Sequence, residues 1–266
     1  MNNDYARFLC GNASAFVATS FVHPMDVIKI SKQLNMKPTY NISNLYRGYT
    51  VGLLRQSTYS SPNIFIFTQL MNNYKTKNDN NDPGFLRKLL YGSVSGTISG
   101  FTGNPSEVVM VRSIQPDKPK QGFIKHTTDV YNRHGIGGFF NGYKAAISRS
   151  LVYNGTRLSL YSHFKGILLN HYPSLENTTT LHFMTGAIST TIAIIVSNPI
   201  DVIKARAQKS DSANVTEIIK SAYKNERFSF LYRGLLPSIS KSLPHSIISF
   251  VVLEKMMILI TGKDAI

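Results

Sequence analysis

Four long stretches of the chain, Phe8–Met25, Gln56–Tyr74, Leu89–Ser106 and Asn177–Ile200, contain no Asp, Glu, Lys or Arg. Each is close to the ~20 residues with which a helix crosses a bilayer. Two more, Ala145–Asn170 and Gly234–Ile260, are mostly apolar but carry Arg149, Arg157, Lys165, Lys241, Glu254 and Lys255. The pattern predicts six spans. Ser, Thr, Asn and Gly are frequent inside them, which predicts helices that face water on one side, as polar groups at membrane depth require. The first span begins near Tyr5 and bends at Pro24, and the second runs from Tyr49 to Tyr74. The third ends near Arg112, the fourth covers Ala145–Asn170, the fifth reaches Gln208 and the sixth Ile260. Short amphipathic helices are expected at Thr127–Arg133 and Val215–Asn225, with a shortened counterpart before Tyr49. Polar loops are expected at Asn72–Pro83, Gln115–Gly122 and Ser210–Ala213.

The apolar runs end in a recurring segment. Pro24-Met-Asp26-Val-Ile-Lys29 closes with Gln33, Pro105-Ser-Glu107-Val-Val-Met110 is followed by Arg112, and Pro199-Ile-Asp201-Val-Ile-Lys204 leads to Arg206 and Gln208. Proline lacks an N–H and clashes with the preceding turn, so a helix carrying it bends there. Carboxylate and cation, three apart, share a helix face. Gly11, Gly92 and Gly186 precede the prolines at one fixed offset. Leu45-Tyr46-Arg47-Gly48, Phe139-Phe140-Asn141-Gly142 and Leu231-Tyr232-Arg233-Gly234 follow them, and Arg55, Arg149 and Lys241 stand seven residues past those last glycines. Self-similarity at fixed offsets marks a tandem array. Three repeats are expected, at about 1–80, 81–174 and 175–266, making one domain with two spans each.

Composition narrows the class. The mean hydropathy of -0.08 is that of a soluble protein and misleads, because the apolar residues are gathered into runs. The formal charge of +15 lies chiefly in the segments after the first, third and fifth spans, the basic excess that marks the side of insertion. Nucleic-acid binding would need those cations on one soluble face with a recognition pattern, and neither is present. Cys10 is the single cysteine, so neither an internal disulfide nor a cysteine-rich metal site is expected. Met-Asn-Asn-Asp-Tyr-Ala-Arg is not a cleavable signal or transit peptide, so any address is expected within the body. The seven histidines show no metal-ligand spacing. Gly135-Ile-Gly137-Gly138 lacks the strand and helix of a phosphate-binding fingerprint, and no nucleophile–base arrangement can be argued. The chain is not expected to be an enzyme.

The threefold Pro-x-[Asp/Glu]-x-x-[Lys/Arg] with its aromatic-Arg-Gly segments resembles the mitochondrial carrier family over essentially the whole chain. The resemblance implies an all-α membrane protein: six transmembrane helices in three pseudo-symmetric repeats around a cavity, with short amphipathic helices on the matrix side. It implies a monomeric, multi-pass exchanger in the lipid bilayer of the mitochondrial inner membrane, working by alternating access without a cofactor or nucleic acid. The compact, Asn-rich sequence resembles virus-encoded nucleotide carriers, which would place it in a host's mitochondria.

The same resemblance assigns a matrix gate to Asp26, Lys29, Glu107, Asp201 and Lys204, with Lys29 pairing Asp201 and Lys204 pairing Glu107. Met110 stands where the third cation belongs, leaving Asp26 without its usual partner. Gln33 and Gln208 match the family's brace glutamines. The local alternative is an i,i+3 pair within each helix, worth ~0.2–0.5 kcal/mol. On the cytoplasmic side only Lys165 and Glu254 retain the charge that the family carries there, which implies a weak barrier.

Charges within a membrane are costly and need a reason. Arg55, Arg149 and Lys241 occupy equivalent positions, which the family uses to contact substrate, and three convergent cations select an anion. Arg149, Tyr153 and Arg157 lie four apart on one face and offer a cation, a ring and a cation, suited to a phosphorylated ligand with a planar base. Asn63 and Ser150 complete the expected site. Snorkelling, or pairing with the gate acids, is the other use of these cations. Nucleotides, including pyrimidine nucleotides or deoxynucleotides, are the first substrate reading. A di- or keto-carboxylate exchanger is the alternative, since a basic residue at 149 is also seen in such carriers, and an ion or proton leak is a third.

Overall fold

The computed structural model describes residues 3–38, 40–78, 81, 83–115, 122–173, 178–210 and 215–261. The expected loops at Gln115–Gly122 and Ser210–Ala213 fall largely outside these residues. Among the described residues the chain is all helical. α1 (Asn3–Gln33) is followed by a single turn, α2 (Ile42–Leu45). The second long helix has three parts: α3 (Tyr49–Arg55), a π-helical turn (Gln56–Ser60) and α4 (Ser61–Lys77). Then come α5 (Phe85–Ser113), α6 (Phe123–His134), α7 (Tyr143–His171), α8 (Thr179–Lys209), α9 (Val215–Glu226) and α10 (Leu235–Thr261). α6 starts four residues before its expected beginning, and the π turn was not foreseen.

Six long helices close a ring in chain order, with α10 returning to α1. The ring is inside-out relative to a soluble bundle. Ser95, Ser99, Thr185, Ser189 and Asn198 are fully buried at its seams, whereas Phe21 is 68%, Phe101 54% and Leu259 84% exposed on its outside. Small polar residues let helix backbones approach, and the apolar exterior suits lipid. Two stretches, Thr180–Lys209 and Val215–Ile260, reach mean hydropathies of 1.5 and 1.7. Among the described residues the remaining long helices fall below that level.

Each repeated proline lies inside an unbroken helix. Pro24 cannot donate to the carbonyl of Ser20, and Tyr46 Oη donates to that oxygen instead at 3.3 Å. Likewise Pro62 leaves the Thr58 carbonyl free at the π turn, where Thr102 Oγ1 of α5 donates to it at 2.7 Å. The π turn thereby joins α4 to α5, and it presses Tyr59 against Gly103.

The residue before each proline has one task in all three copies. His23 Nε2 meets the Arg47 carbonyl at 3.0 Å, Asn104 Nδ2 donates to Phe139 O at 2.7 Å and to Asn141 O at 3.3 Å, and Asn198 Nδ2 donates to Leu231 O at 2.7 Å. These buried groups pin the connector onto the proline turn. Directly after the pinned connector, Gly48, Gly142 and Gly234 adopt φ of 69°, 77° and 75° and start the returning helix. A Cβ on Gly234 would meet the Lys29 carbonyl at 2.9 Å, and one on Gly142 the Lys204 carbonyl at 3.1 Å. The repeated glycine is therefore required twice, by its left-handed backbone and by contact with another helix.

Gly234→Ala is expected to cost at least ~1–2 kcal/mol from the left-handed backbone alone, read as a lowered unfolding temperature in detergent. Gly11→Ala, where an added Cβ meets nothing within 4 Å, should leave that temperature unchanged or raise it. Equal effects of the two substitutions would contradict the assignment.

Candidate substrate cavity and gate

The odd-numbered long helices of the ring, α1, α5 and α8, bring their proline segments together at one end. α8 contacts both α1 and α5 there, while the even-numbered helices make no comparable contact with one another. Between them lies a cavity of about 150 Å³, lined by Asp26, Lys29, Glu107, Asp201 and Lys204 and also by Arg55, Tyr59, Arg149 and Lys241. Residues expected as two sets, gate and substrate site, thus share one enclosure.

The carboxylates are nearly buried, with side-chain exposures of 8% for Asp26, 22% for Glu107 and 7% for Asp201. Lys29 Nζ lies 3.3 Å from Asp201 Oδ2 and ties α1 to α8; Lys204 Nζ lies 2.7 Å from Glu107 Oε2 and ties α8 to α5. Among the described residues these lysines make no intrahelical i,i+3 ion pair. Met110 is buried in an apolar cluster with Val27, Val51, Val109 and Ile114, so it offers Asp26 nothing. Lys241 fills the gap: its Nζ contacts Asp26 Oδ1 at 2.6 Å and Oδ2 at 2.8 Å. A buried carboxylate left without a partner is far costlier than a paired one.

Two of the three cations expected to await substrate are therefore engaged with gate acids, since Arg149 Nε also closes on Asp201 Oδ1. Arg55 lines the cavity and, among the described residues, makes no ion pair. Tyr153 lies beneath both arginines of its helix, 5.3 Å from Arg149 Cζ and 5.9 Å from Arg157 Cζ. Asn63 is half-buried on α4. Ser150 does not face the cavity: it is buried between α7 and α5, where the space beside Gly96 admits its side chain. Gln33 and Gln208 do not brace an ion pair among the described residues. Both line the cavity with their Cγ atoms close to Gly234 and Gly142, and Gln208 Nε2 donates to Asn104 Oδ1 at 3.4 Å. At the opposite end Lys165 and Glu254 are half-buried and unpaired with each other.

A second tier of ties, beyond the carboxylates, was not anticipated. Arg112 Nε and Nη2 donate to Gln208 O and Ser210 O at 3.2 and 3.3 Å, at the end of α8. Arg206, at the equivalent position of α8, donates from Nε to Gln33 O at 3.1 Å and from Nη2 to Glu226 Oε2 at 2.9 Å. Guanidinium groups here satisfy the last carbonyls of a neighbouring helix, where the macrodipole also favours a cation. The signal in the sequence was the shared offset of Arg112 and Arg206 from their prolines. In the first repeat Ser31 takes that place. Both tiers thus leave the same seam, α1 against α5, without an ionic tie among the described residues. Val27 and Ile30 packed against Met110 and Ile114 close it instead.

A profile of the family described as mitochondrial carrier protein matches residues 81–172 and 176–264. The chain belongs to the mitochondrial carrier family. It is a transporter of metabolites, not an enzyme, and a multi-pass protein of the mitochondrial inner membrane. The carrier is 28% identical over 282 residues to the mitochondrial 2-oxoglutarate/malate carrier protein of Mus musculus, covering 94% of this chain and 89% of the relative. It is 29% identical over 273 residues to the protein of that name from Sus scrofa (90% and 81% covered). Against mitochondrial citrate transporter F of Aspergillus niger it is 26% identical over 277 residues (94% and 88% covered). None of these three is a nucleotide carrier by name.

Lys241→Met is expected to destabilise the closed carrier by on the order of 3 kcal/mol, because Asp26 loses its cation. Adding Met110→Lys to that variant should restore most of the lost unfolding temperature. A double variant no more stable than Lys241→Met would show that Lys241 does not stand in for the missing gate cation.

Proposed function

We propose that the carrier exchanges dicarboxylates or oxodicarboxylates of the 2-oxoglutarate and malate class by alternating access. The observation that carries this reading is the charge of the cavity: five cations face three carboxylates among its lining residues, an excess of two positive charges. A dicarboxylate neutralises that excess. A nucleoside triphosphate overshoots it, and the printed names of the relatives point the same way. The nucleotide reading used Tyr153 as the ring for a base, and such a base would compete for it with the guanidinium groups of Arg149 and Arg157, 5.3 and 5.9 Å from its centre.

The unpaired Arg55 is the first docking point for an incoming carboxylate, and arginine receives one through two parallel hydrogen bonds. Once bound, the dianion competes with Asp26 for Lys241 and with Asp201 for Arg149. Substrate binding then weakens the ties that join the gate acids of α1 and α8 to α10 and α7. Because Lys241 serves both substrate and gate, entry of the anion and opening of the matrix end are coupled through one side chain, and a ligand shifts such an equilibrium only by its differential contacts with the two states.

Purified carrier in liposomes preloaded with malate should take up labelled 2-oxoglutarate and malate, and not ATP or dNTPs. Arg55→Ala should reduce that uptake by roughly 10- to 100-fold, the range expected for losing a hydrogen bond to a charged group. Nucleotide uptake without carboxylate uptake would overturn the reading.

A further inference from the structure

The three cavity cations are each followed, four residues on, by a ring with a polar tip: Arg55 by Tyr59, Arg149 by Tyr153, Lys241 by His245. In an α-helix a step of four returns to the same face about 6 Å further along the axis, as from Arg149 to Tyr153 and from Lys241 to His245, while Tyr59 stands in the π turn that follows Arg55. Tyr59 lines the cavity, held there by the π turn that presses its Cα and Cβ against Gly103. Tyr153 lies under Arg149 and Arg157. His245 is half-buried one turn from Lys241, within electrostatic reach of Lys241, Asp26 and Arg55. Among the described residues, neither phenol oxygen nor either imidazole nitrogen has a hydrogen-bond partner, although the serines and threonines of the neighbouring seams are bonded, as Thr58 and Ser106 are at 2.8 Å.

We propose that Tyr59, Tyr153 and His245 form a second tier of the substrate site, which reads the non-carboxylate oxygen of an oxo- or hydroxydicarboxylate. The inference rests on the dicarboxylate reading above. One carboxylate is held by the cation tier, which is indifferent to the rest of the molecule. The chain leading away from it, with its oxo or hydroxyl oxygen, then runs toward three hydrogen-bonding rings one turn further on. A phenol donates to an oxo oxygen and either donates to or accepts from a hydroxyl. A neutral imidazole does both through its two nitrogens. A site built to hydrogen-bond an oxygen rejects the analogue that lacks it, because its own polar groups are then left unpaired. Tyr59 and His245 thereby become specificity residues: they sort 2-oxoglutarate and malate from succinate, which has the same charge and no such oxygen.

The test is exchange in proteoliposomes, with KM measured for 2-oxoglutarate, malate and succinate in the wild type, Tyr59→Phe, His245→Leu and His245→Gln. Tyr59→Phe and His245→Leu should each raise KM for 2-oxoglutarate or malate about tenfold, the equivalent of one lost hydrogen bond, and leave succinate within about twofold of the wild type. His245→Gln, which keeps a donor and an acceptor, should recover most of the preference. Transport-competent variants that retain the wild-type preference, or that lose succinate in parallel with the oxygenated substrates, would overturn the second tier and leave the dicarboxylate reading standing. A wild type that takes up none of the three would overturn both, and it would do so before any variant is examined.

Discussion

A carboxylate held at membrane depth must have a cation, and three of them are placed at the convergence of α1, α5 and α8. Two obtain lysines from a neighbouring proline segment. The third, Asp26, faces Met110 where its partner would stand and takes Lys241 from α10. From that one substitution follows much of the cavity's character. The surrogate comes from the set of cations that would otherwise wait for substrate, so gate and binding site merge into one charged enclosure. An apolar seam is left between α1 and α5, and α8 becomes the helix that holds its two neighbours, through a carboxylate tier and an arginine tier.

The excess of positive charge in this enclosure sets what it accepts. Desolvating an anion inside a protein is costly unless its charge is matched, so a cavity with two uncompensated cations selects a dianion. Among the described residues Arg55 makes no ion pair, while Arg149 and Lys241 must be taken from theirs. The substrate therefore enters as a competitor of Asp26 and Asp201. In such a cavity tight binding and gate opening draw on the same contacts, as population shift requires.

Most of the fold was legible in the sequence. Uncharged runs fixed the spans, and the matched prolines, glycines and cations fixed the threefold order, since such offsets survive only where each copy meets the same geometric demand. The pairings of Lys29 with Asp201 and Lys204 with Glu107 followed from the family's pattern. The partner of Asp26 did not. Lys241 is 215 residues away, and its offset marked it only as a cavity cation, so which acid it would meet depended on how the ring closes. Arg112 pointed away from the carboxylates on an ideal helix, and its actual targets are carbonyls at the end of another helix, which no side-chain pattern announces. Ser150 was assigned by its neighbour Arg149, yet adjacent helical residues face about 100° apart, which puts the serine in the seam. His23, Asn104 and Asn198 are the clearest loss: each precedes a repeated proline, and two different residue types perform one task by donating to or meeting a connector carbonyl.

The central claim is that anion binding and gate closure use the same cations, so that substrate loosens the closed end. Met110 is 2% exposed on the seam that lacks ionic ties, which makes it the place to watch. The measurement is the rate at which a membrane-impermeant thiol reagent, applied from the matrix side, labels Met110→Cys in a Cys10→Ser background, with and without saturating 2-oxoglutarate. The account predicts labelling that accelerates severalfold with 2-oxoglutarate and does not respond to a monocarboxylate of the same size. Labelling unchanged by the dianion, in a carrier that still exchanges it, would contradict the shared use of Lys241 and Arg149.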